Sequence, residues 1–220
     1  MEFIRILLCT LGAYLIGAIP SSIILGKVFF GIDIRDHGSG SASHRNVSRI
    51  MGPNMSLIVR ILDISKGFLA ANLAFIVHNK YGIFSDIELP IIMMSLGLAA
   101  VLGHIFPIFA SFRGGKGIHV TLGMLIATQP LVGSIFILIT LCAYLISRYP
   151  NLAYMVGALA IPVYYLATRH HHAEMFVPLL VFGGILFGLL FMTHRENLLD
   201  IVHGDAERVD LLIDFRSNRS

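Results

Sequence analysis

The chain has 220 residues, of which 56% are hydrophobic and only 13% are charged. A soluble globular domain carries about 25% charged residues, so this composition excludes a soluble fold and predicts an all-α, polytopic helix bundle in a membrane. The excess of 16 Lys and Arg over 13 Asp and Glu gives a net charge of +3, which is too small for a nucleic-acid-binding surface. Cys9 and Cys142 both lie in apolar runs, so we expect neither a disulfide nor a metal site.

Six apolar runs approach the roughly 20 residues that a helix needs to cross a bilayer. In chain order they are residues 3–25, 54–77, 89–109, 131–146, 152–168 and 176–193. A seventh run, Ile118–Thr128, is short and is separated from the next by Gln129 and Pro130. Because proline removes a helix donor and restricts the residue before it, we predict two short helices in a hairpin there. The sequence therefore predicts about seven transmembrane helices.

The distribution of positive charge favours seven helices over six. With seven, the loops at residues 33–52, 111–117 and 148–151 and the tail from His194 share one side of the membrane. That side has ten of the sixteen cations: Arg35, Arg45, Arg49, Arg113, Lys116, Arg148, Arg195, Arg208, Arg216 and Arg219. The positive-inside rule then places the N-terminus outside and the C-terminus in the cytoplasm. We expect a transmembrane domain over residues 1–204 and a polar cytoplasmic tail over residues 205–220.

The first polar segment, residues 36–49, contains Gly38-Ser39-Gly40 and ends with Asn46 and Arg49. Glycines on both sides of a serine let backbone N–H groups converge as an anion-binding nest, to which Ser and Arg add donors. The pattern therefore predicts a phosphate site. A solvated turn is the alternative, because Gly and Ser are common in loops for ordinary reasons.

The second polar segment is Arg113-Gly114-Gly115-Lys116-Gly117, directly before the short helix. Backbone amides at a helix N-terminus together with a lysine bind phosphate, so this segment also predicts an anion site. It lacks the full spacing of a Walker loop, which argues against nucleotide hydrolysis. The alternative is a basic loop that only sets the topology.

Two further constellations involve helices. His194 and Asn197 are one turn apart where the last span is expected to end, so both can face one site; a polar helix end is the alternative. Arg60, Asp63 and Lys66 follow one another at three-residue spacing inside the second span. Charges in a membrane segment normally face the bundle interior in pairs, so we expect a structural ion network in which Asp63 is the counter-ion of Arg60 or Lys66.

Taken together, these motifs resemble one family. The residues that carry the resemblance, spread from Gly17 to about Gly204, are Gly38-Ser39-Gly40, Asn46-Val47-Ser48-Arg49, Asp63-Ile64-Ser65-Lys66-Gly67, Gly103-His104-Ile105-Phe106-Pro107, Gly114-Gly115-Lys116-Gly117 and His194-Arg195-Glu196-Asn197. The family is that of the bacterial acyl-phosphate:glycerol-3-phosphate acyltransferases of the PlsY type. The resemblance implies a multi-pass enzyme of phospholipid biosynthesis in the bacterial plasma membrane, with its active site facing the cytoplasm.

The implied reaction moves a fatty acyl group from acyl phosphate to the first hydroxyl of glycerol 3-phosphate and yields lysophosphatidate. It needs no coenzyme A, carrier protein, cofactor or metal, and we expect no obligate protein partner beyond membrane lipid. The resemblance makes Ser39 the phosphate-contacting serine and places His194 and Asn197 near the reacting hydroxyl, as catalytic residues. The expected binding residues are Gly38, Gly40, Asn46, Arg49, Gly114, Gly115, Lys116 and Gly117.

The first motif departs from the family pattern Ser-Gly-Asn-x-Gly-Ala-x-Asn. Ser41 replaces Asn, Ser43 replaces Gly, His44 replaces Ala and Arg45 occupies a position that is usually Thr. We expect His44 and Arg45 to point outward, because the other functional positions are retained. Two alternatives remain: a divergent paralogue with an altered acceptor or no activity, and a small membrane transporter, although the chain lacks the internal repeat typical of transporters.

Overall fold

The computed structural model describes residues 2–82, 84, 88–171, 175–206 and 208. All regular structure in these ranges is helical, which confirms the predicted fold class. The helices are α1 (Glu2–Ala18), α2 (Ser21–Leu25), α3 (His44–Met51), α4 (Pro53–Tyr81), α5 (Glu88–Ile105), α6 (Ile118–Thr128), α7 (Pro130–Ser147), α8 (Pro150–Ala167) and α9 (Phe176–His203). One π-helical turn, Gly26–Phe30, continues α2, and single 3-10 turns occur at Ile34–Asp36, Ile108–Ala110 and Arg169–His171.

Six stretches of helix in the described residues are long and apolar enough to cross a membrane. They are Phe3–Phe30, Pro53–Tyr81, Glu88–Ala110, Pro130–Ser147, Pro150–Ala167 and Phe176–His203, one for each of the six predicted runs. The seventh run forms α6, whose 11 residues span only about 16 Å of a hydrocarbon core about 30 Å thick. A seventh crossing therefore stays a prediction, as does the orientation of the termini.

The last helix extends beyond the predicted apolar run, which ends at Thr193, and the place where the span leaves the membrane stays a prediction. The final helix continues through His194 to His203 and ends where Gly204 adopts a left-handed conformation, with φ of +84°. Polar residues after an apolar run do not stop a helix, because its backbone hydrogen bonds do not depend on side-chain polarity. A residue that accepts positive φ does stop it. The end of an apolar run therefore marked a change of environment for the side chains only.

The chain divides into two compact units, Met1–Gly133 and Ser134–Ser220. The expectation of one transmembrane domain over residues 1–204 stays a prediction. Of the expected tail over residues 205–220, the structure describes only residues 205, 206 and 208. Arg216 and Arg219, which contributed to the predicted charge asymmetry, lie outside the described residues.

Glycines bring the helices of the first unit together. A side chain on Gly67 of α4 would overlap the backbone of Val120 on α6, and one on Gly123 of α6 would overlap the backbone of Ile64 on α4. Lipid provides no hydrophobic drive for helix association, so close backbone approach through small residues is what stabilises such contacts. The α4–α6 crossing fixes the start of α6 beside the polar part of α4.

The second unit packs α8 against α9 in the same way. Gly157 of α8 lies against the Thr140 side chain of α7, and Gly183 of α9 approaches the backbone of Pro162 on α8, at 3.2 Å from a Cβ position. Here too, small residues set the separation of the helices. The polar residue buried most deeply in this unit is His194, at 1% exposure.

Candidate functional site

The first polar loop, which precedes α3 and includes Asp33 and Arg35, rests on a small apolar core of the first unit. The loop and the start of α3 contribute the buried residues Ile34, Ala42 and Val47 to this core. They pack with Ile23 of α2 and Val59 of α4. The loop is thereby anchored at both ends and in its middle. The loop therefore carries its polar residues on a buried apolar base, which a fully solvated turn would lack.

Asn46 organises this loop from the first turn of α3. Its side chain is 2% exposed, and its Nδ2 donates to the carbonyl oxygens of Ile34, His37 and Ser41 at 3.0, 2.9 and 3.0 Å. Its Oδ1 accepts a hydrogen bond from the amide of Ser39 at 2.9 Å. One buried amide side chain therefore links four backbone groups of the loop, with its two N–H protons shared among three carbonyl oxygens.

The predicted backbone nest for an anion is not present at Ser39 and Gly40. Gly38 and Gly40 do adopt positive φ, at +60° and +68°. However, the amide of Ser39 donates to Asn46, and the amide of Gly40 donates to the carbonyl oxygen of His37 at 3.2 Å. Because these amides are used internally, the Ser39 hydroxyl, which is exposed, is the donor that the turn presents to solvent.

Three serine hydroxyls form a row that begins at Ser39. Ser39 Oγ lies 3.0 Å from Ser41 Oγ, which lies 2.8 Å from Ser43 Oγ. Ser43 is buried and is the N-cap of α3, where its hydroxyl accepts from the amide of Asn46 at 3.5 Å. Ser22 of α2 holds the same segment from behind by donating to the carbonyl oxygen of Ala42 at 2.9 Å.

The second polar loop is folded back on the end of α5. The amides of Gly114 and Gly115 donate to the carbonyl oxygens of Ile105 and His104 at 3.2 and 3.1 Å. A Cβ atom on Gly114 would overlap the His104 carbonyl oxygen, and one on Gly115 would overlap the His104 ring. Gly117, with φ of +86°, then starts α6. The half-buried Lys116 stands directly before that start.

The two predicted phosphate loops are neighbours in the first unit. His44, the first residue of α3, packs edge-on against His119 at the start of α6, with ring centroids 4.4 Å apart. Arg35 of the first loop donates to the carbonyl oxygen of Ala110, just before the second loop, at 2.8 Å. The expected outward orientation is therefore wrong for His44, which is half-buried between helices because the α4–α6 crossing brings α6 beneath α3.

Arg35 is itself fixed by a carboxylate outside the predicted spans. Its guanidinium donates to both oxygens of Asp33, at 3.0 and 2.8 Å. These bonds hold the pKa of Asp33 at about 2, below its usual value of 3.8, and the pKa of Arg35 is raised in turn. Asp33 is therefore ionised throughout the physiological range, and the bridge to Ala110 persists with it.

A buried polar cluster lies behind the loops. Asp63 pairs with Lys66 at 2.9 Å, accepts from Ser21 at 3.3 Å and lies 3.7 Å from Nδ1 of His104. Lys66 also donates to the carbonyl oxygen of Ile19 at 3.1 Å. The counter-ion of Asp63 is thus Lys66 and not Arg60, whose Nε is buried without a hydrogen-bond partner among the described residues.

A small cleft connects this cluster to both loops. Its accessible volume of about 10 Å³ is close to the minimum for one water molecule. Ala42 from the first loop, Gly114 and Gly115 from the second, and Asp63 and His104 from the cluster all line it. Within the described residues, no group of three His, Cys, Asp or Glu side chains could hold a metal ion.

His194 and Asn197 belong to the second unit and lie one turn apart on α9. Nδ1 of His194 lies 2.8 Å from the carbonyl oxygen of Leu190 and 3.0 Å from Oγ1 of Thr193. A carbonyl oxygen only accepts, so Nδ1 is the nitrogen that donates to Leu190. His194 is buried and Asn197 half-buried, which is an arrangement that can accept a proton and fix a polar group.

Several residues that position the site were not singled out from sequence. Ser21 and Ser22 follow Pro20 inside an apolar run, and a pair of hydroxyls there was a detectable signal. Arg35 was counted only as a topology charge. No sequence signal indicated that His44 and His119 would meet, because 74 residues of intervening chain separate them.

Known proteins match nearly the whole chain. A family model described as glycerol-3-phosphate acyltransferase matches residues 7–204. The glycerol-3-phosphate acyltransferase of Chlorobaculum tepidum is 37% identical over 217 residues, covering 90% of this chain and 93% of that protein. The protein of the same name from Chlorobium phaeobacteroides is 36% identical over 220 residues, again covering 90% and 93%.

Two crystal structures of PlsY, an integral membrane glycerol 3-phosphate acyltransferase, share the fold. The glycerol 3-phosphate form is 31% identical, with a TM-score of 0.80, and the match covers 96% of this chain and 98% of that one. The lysophosphatidic acid form is 31% identical, with a TM-score of 0.77 over 94% and 96% of the two chains. The family predicted from the motifs is confirmed: with its model matched over residues 7–204, the chain belongs to the glycerol-3-phosphate acyltransferase family.

Proposed function

We propose that this protein acylates the first hydroxyl of glycerol 3-phosphate, with acyl phosphate as the donor, and releases lysophosphatidate for phospholipid synthesis. The acceptor and product are supported by the family and by the two PlsY structures, which are described as glycerol 3-phosphate and lysophosphatidic acid forms. The donor is taken from the resemblance to acyl-phosphate-dependent enzymes. Ser39, Arg49 and Lys116 bind phosphate in this proposal, and His194 and Asn197 act at the reacting hydroxyl.

The observation that carries this proposal is the contact between the two loops. Each loop supplies one or more cations and ends at a helix start, and the first residues of α3 and α6 touch through His44 and His119. Both substrates are phosphates, so a site that serves them needs several donors and cations on one surface. A pair of basic loops that only set topology would have no need to be adjacent.

The chemistry asks little of the protein beyond positioning. Acyl phosphate is a reactive anhydride: the acceptor oxygen forms a bond to the acyl carbon, the bond from that carbon to the phosphate oxygen breaks, and phosphate leaves with the electron pair. Cations on the leaving phosphate stabilise the charge that develops there. The proton of the acceptor hydroxyl must leave as the ester forms, and the imidazole of His194 is the acceptor in this proposal, as the resemblance implies.

The decisive assay uses purified protein with acyl phosphate and glycerol 3-phosphate and measures lysophosphatidate. Product should form with acyl phosphate and not when acyl coenzyme A or acyl carrier protein replaces it. Omission of glycerol 3-phosphate is the matched control, because it leaves only hydrolysis of the donor. Product from acyl coenzyme A alone would overturn the proposed donor while leaving the acceptor intact.

We further propose that the site faces the cytoplasm, with Met1 outside and the C-terminal tail inside. The support is the ten cations expected on that side of seven helices. The test is thiol labelling of single cysteines at residues 31, 113 and 206 in a chain with Cys9→Ala and Cys142→Ala. All three should react only from the cytoplasmic side. Labelling of residues 113 and 206 from opposite sides would show that α6 does not cross.

The divergent first motif defines a second experiment. A variant with Ser41→Asn, Ser43→Gly, His44→Ala and Arg45→Thr restores the usual family residues. We expect the natural chain to be active, and within about tenfold of this variant, because His44 is accommodated against His119 and not in open space. An inactive natural chain beside an active restored variant would instead support the degenerate paralogue.

A further inference from the structure

One hydrogen-bond arrangement of the serine row leaves no buried hydroxyl proton without an acceptor. A hydroxyl has one proton to donate, and its oxygen can accept two bonds. Ser43 Oγ accepts from the Asn46 amide, because an amide N–H can only donate. Of the described neighbours of Ser43 Oγ, Ser41 Oγ is the one that can take its proton, across 2.8 Å. Because a buried donor normally finds an acceptor, the favoured arrangement directs the proton of the buried Ser43 to Ser41.

In this arrangement the Ser41 hydroxyl donates to Ser39. Ser41 Oγ already accepts from Ser43, so its own proton goes to Ser39 Oγ, across 3.0 Å. Ser39 Oγ thus accepts from inside the protein, and its proton has no acceptor among the described residues. The row runs from a buried helix cap through a half-buried residue to an exposed one. It presents a single outward-pointing O–H, polarised by two bonds behind it.

We propose that Ser41 and Ser43 are positioning residues that hold the Ser39 hydroxyl as a donor to a substrate phosphate. The inference rests on the proposed function, because it gives Ser39 a phosphate to contact. Phosphate oxygens only accept, so a hydroxyl whose proton is already directed outward needs no reorganisation to bind one. The family pattern has Asn and Gly at these two positions, so the row belongs to this chain.

The geometry also explains why the substitutions are compatible with a working site. Ser22 fixes the Ala42 carbonyl and Asn46 fixes the Ser41 carbonyl, so the backbone that carries the three hydroxyls is held independently of them. Removing one hydroxyl should therefore leave the loop in place and change only the bonds of the row. That separation makes the proposal testable by substitution.

The first test is Ser41→Ala, which removes the middle hydroxyl. Loss of one neutral hydrogen bond corresponds to a fall in kcat/KM of about twofold to tenfold. Ser41→Thr keeps the hydroxyl and should recover activity to within about twofold. Ser95→Ala, an exposed serine on α5 whose hydroxyl bonds only its own helix, is the matched control and should have no effect. The KM for glycerol 3-phosphate and for acyl phosphate, measured separately, shows which phosphate Ser39 contacts.

The second test separates positioning from general damage. If Ser41 acts through Ser39, adding Ser41→Ala to Ser39→Ala should cause no further loss in kcat/KM, or in glycerol 3-phosphate binding if turnover is too slow. Ser43→Gly probes the inner end, because glycine preserves most of the helix cap while it removes the hydroxyl. Its loss should resemble that of Ser41→Ala.

The outcomes distinguish this inference from the function on which it rests. A wild-type chain that makes no lysophosphatidate overturns both. An active wild type with an unaffected Ser41→Ala variant, or with losses that add fully on the Ser39→Ala background, overturns the positioning role and leaves the acyltransferase assignment standing.

Discussion

The two loops of the site are held in opposite ways. The first loop depends on side chains: Asn46 satisfies four backbone groups, and Arg35 bridges Asp33 to Ala110. The second loop depends on the absence of side chains, because Gly114 and Gly115 lie directly against His104. A loop held by polar side chains can exchange some of them and keep its backbone. A loop held by close backbone contact tolerates no added atom.

This contrast accounts for where the sequence diverges. The second loop keeps the Gly-Gly-Lys-Gly pattern of the family, whereas the first loop has changed at four positions. Those four, residues 41 and 43–45, surround Asn46 and leave its bonds intact. Substitutions in the two loops therefore test whether side-chain support tolerates change better than close backbone contact does.

The largest effect is expected for Gly115→Ala. The new Cβ would overlap the half-buried His104 ring, so the loop and Lys116 must shift, and a displacement of about 1 Å can cost around a hundredfold in rate. Lysophosphatidate formation should therefore fall by about a hundredfold or more, in protein that still elutes as folded on size exclusion. Gly184→Ala, where a Cβ meets nothing within 4 Å, is the matched control. Activity within about tenfold of wild type would show that this loop can adapt.

The next largest losses of activity are expected for Lys116→Ala and Arg49→Ala. A charge-assisted hydrogen bond is worth about 1.5–3 kcal/mol, which corresponds to a loss of roughly tenfold to a hundredfold in kcat/KM. The fold should survive, since both cations lie at or near the surface. Lys80→Ala, an exposed cation at the far end of α4, serves as the control. If both variants keep wild-type kinetics, these cations only set topology.

Asn46→Ala should act mainly through stability. The Ser41 carbonyl loses its donor and the Ser39 amide loses its acceptor, and each loss costs about 1–3 kcal/mol, so we expect a loss of at least about 2 kcal/mol and a disordered first loop. Chemical unfolding in detergent measures it. Asn72→Ala, whose amide bonds only its own helix, should change stability by less than about 0.5 kcal/mol. Equal losses in the two variants would mean that Asn46 does not organise the loop.

The smallest effect concerns the Asp33–Arg35 bridge. The pKa of Asp33 is lowered to about 2 by the Arg35 hydrogen bonds, so the contribution of the bridge to stability is full above about pH 4 and is lost as the pH falls toward 2. The thermal midpoint in detergent should therefore drop between pH 5 and pH 2.5. In Asp33→Asn the drop should be smaller, because that side chain does not titrate. Identical pH profiles for the wild type and Asp33→Asn would show that the bridge does not cause the pH dependence.

Helix content and order were predictable because hydrophobicity is a property of the residues themselves. Six apolar runs became six long helices, and the break at Gln129 separates α6 from α7 as the following proline predicts. The apolar run that ends at Thr193 does not indicate where α9 ends, because polar residues change the environment of a helix without ending it.

In the site, the sequence predicted residue types better than their contacts. The flanking glycines of Ser39 were correctly associated with an unusual turn, but the amides that they orient are used by Asn46 and His37. Which of several nearby acceptors an amide finds depends on the whole loop, and one residue pattern is compatible with several answers. The sequence shows three serines at positions 39, 41 and 43, but it does not show that their hydroxyls are hydrogen-bonded to one another.

The sequence by itself determined that the chain is solvated by lipid, that it is helical, and that its motifs follow the order of one acyltransferase family. Tertiary structure decided which groups meet. Arg60 and Lys66 stand three residues from Asp63 on either side, so spacing along α4 could not choose between them. Lys66 is the partner because it can also reach the carbonyl oxygen of Ile19. Contacts of this kind depend on how helices cross, and here glycines such as Gly67 and Gly123 set the crossing by letting two backbones touch.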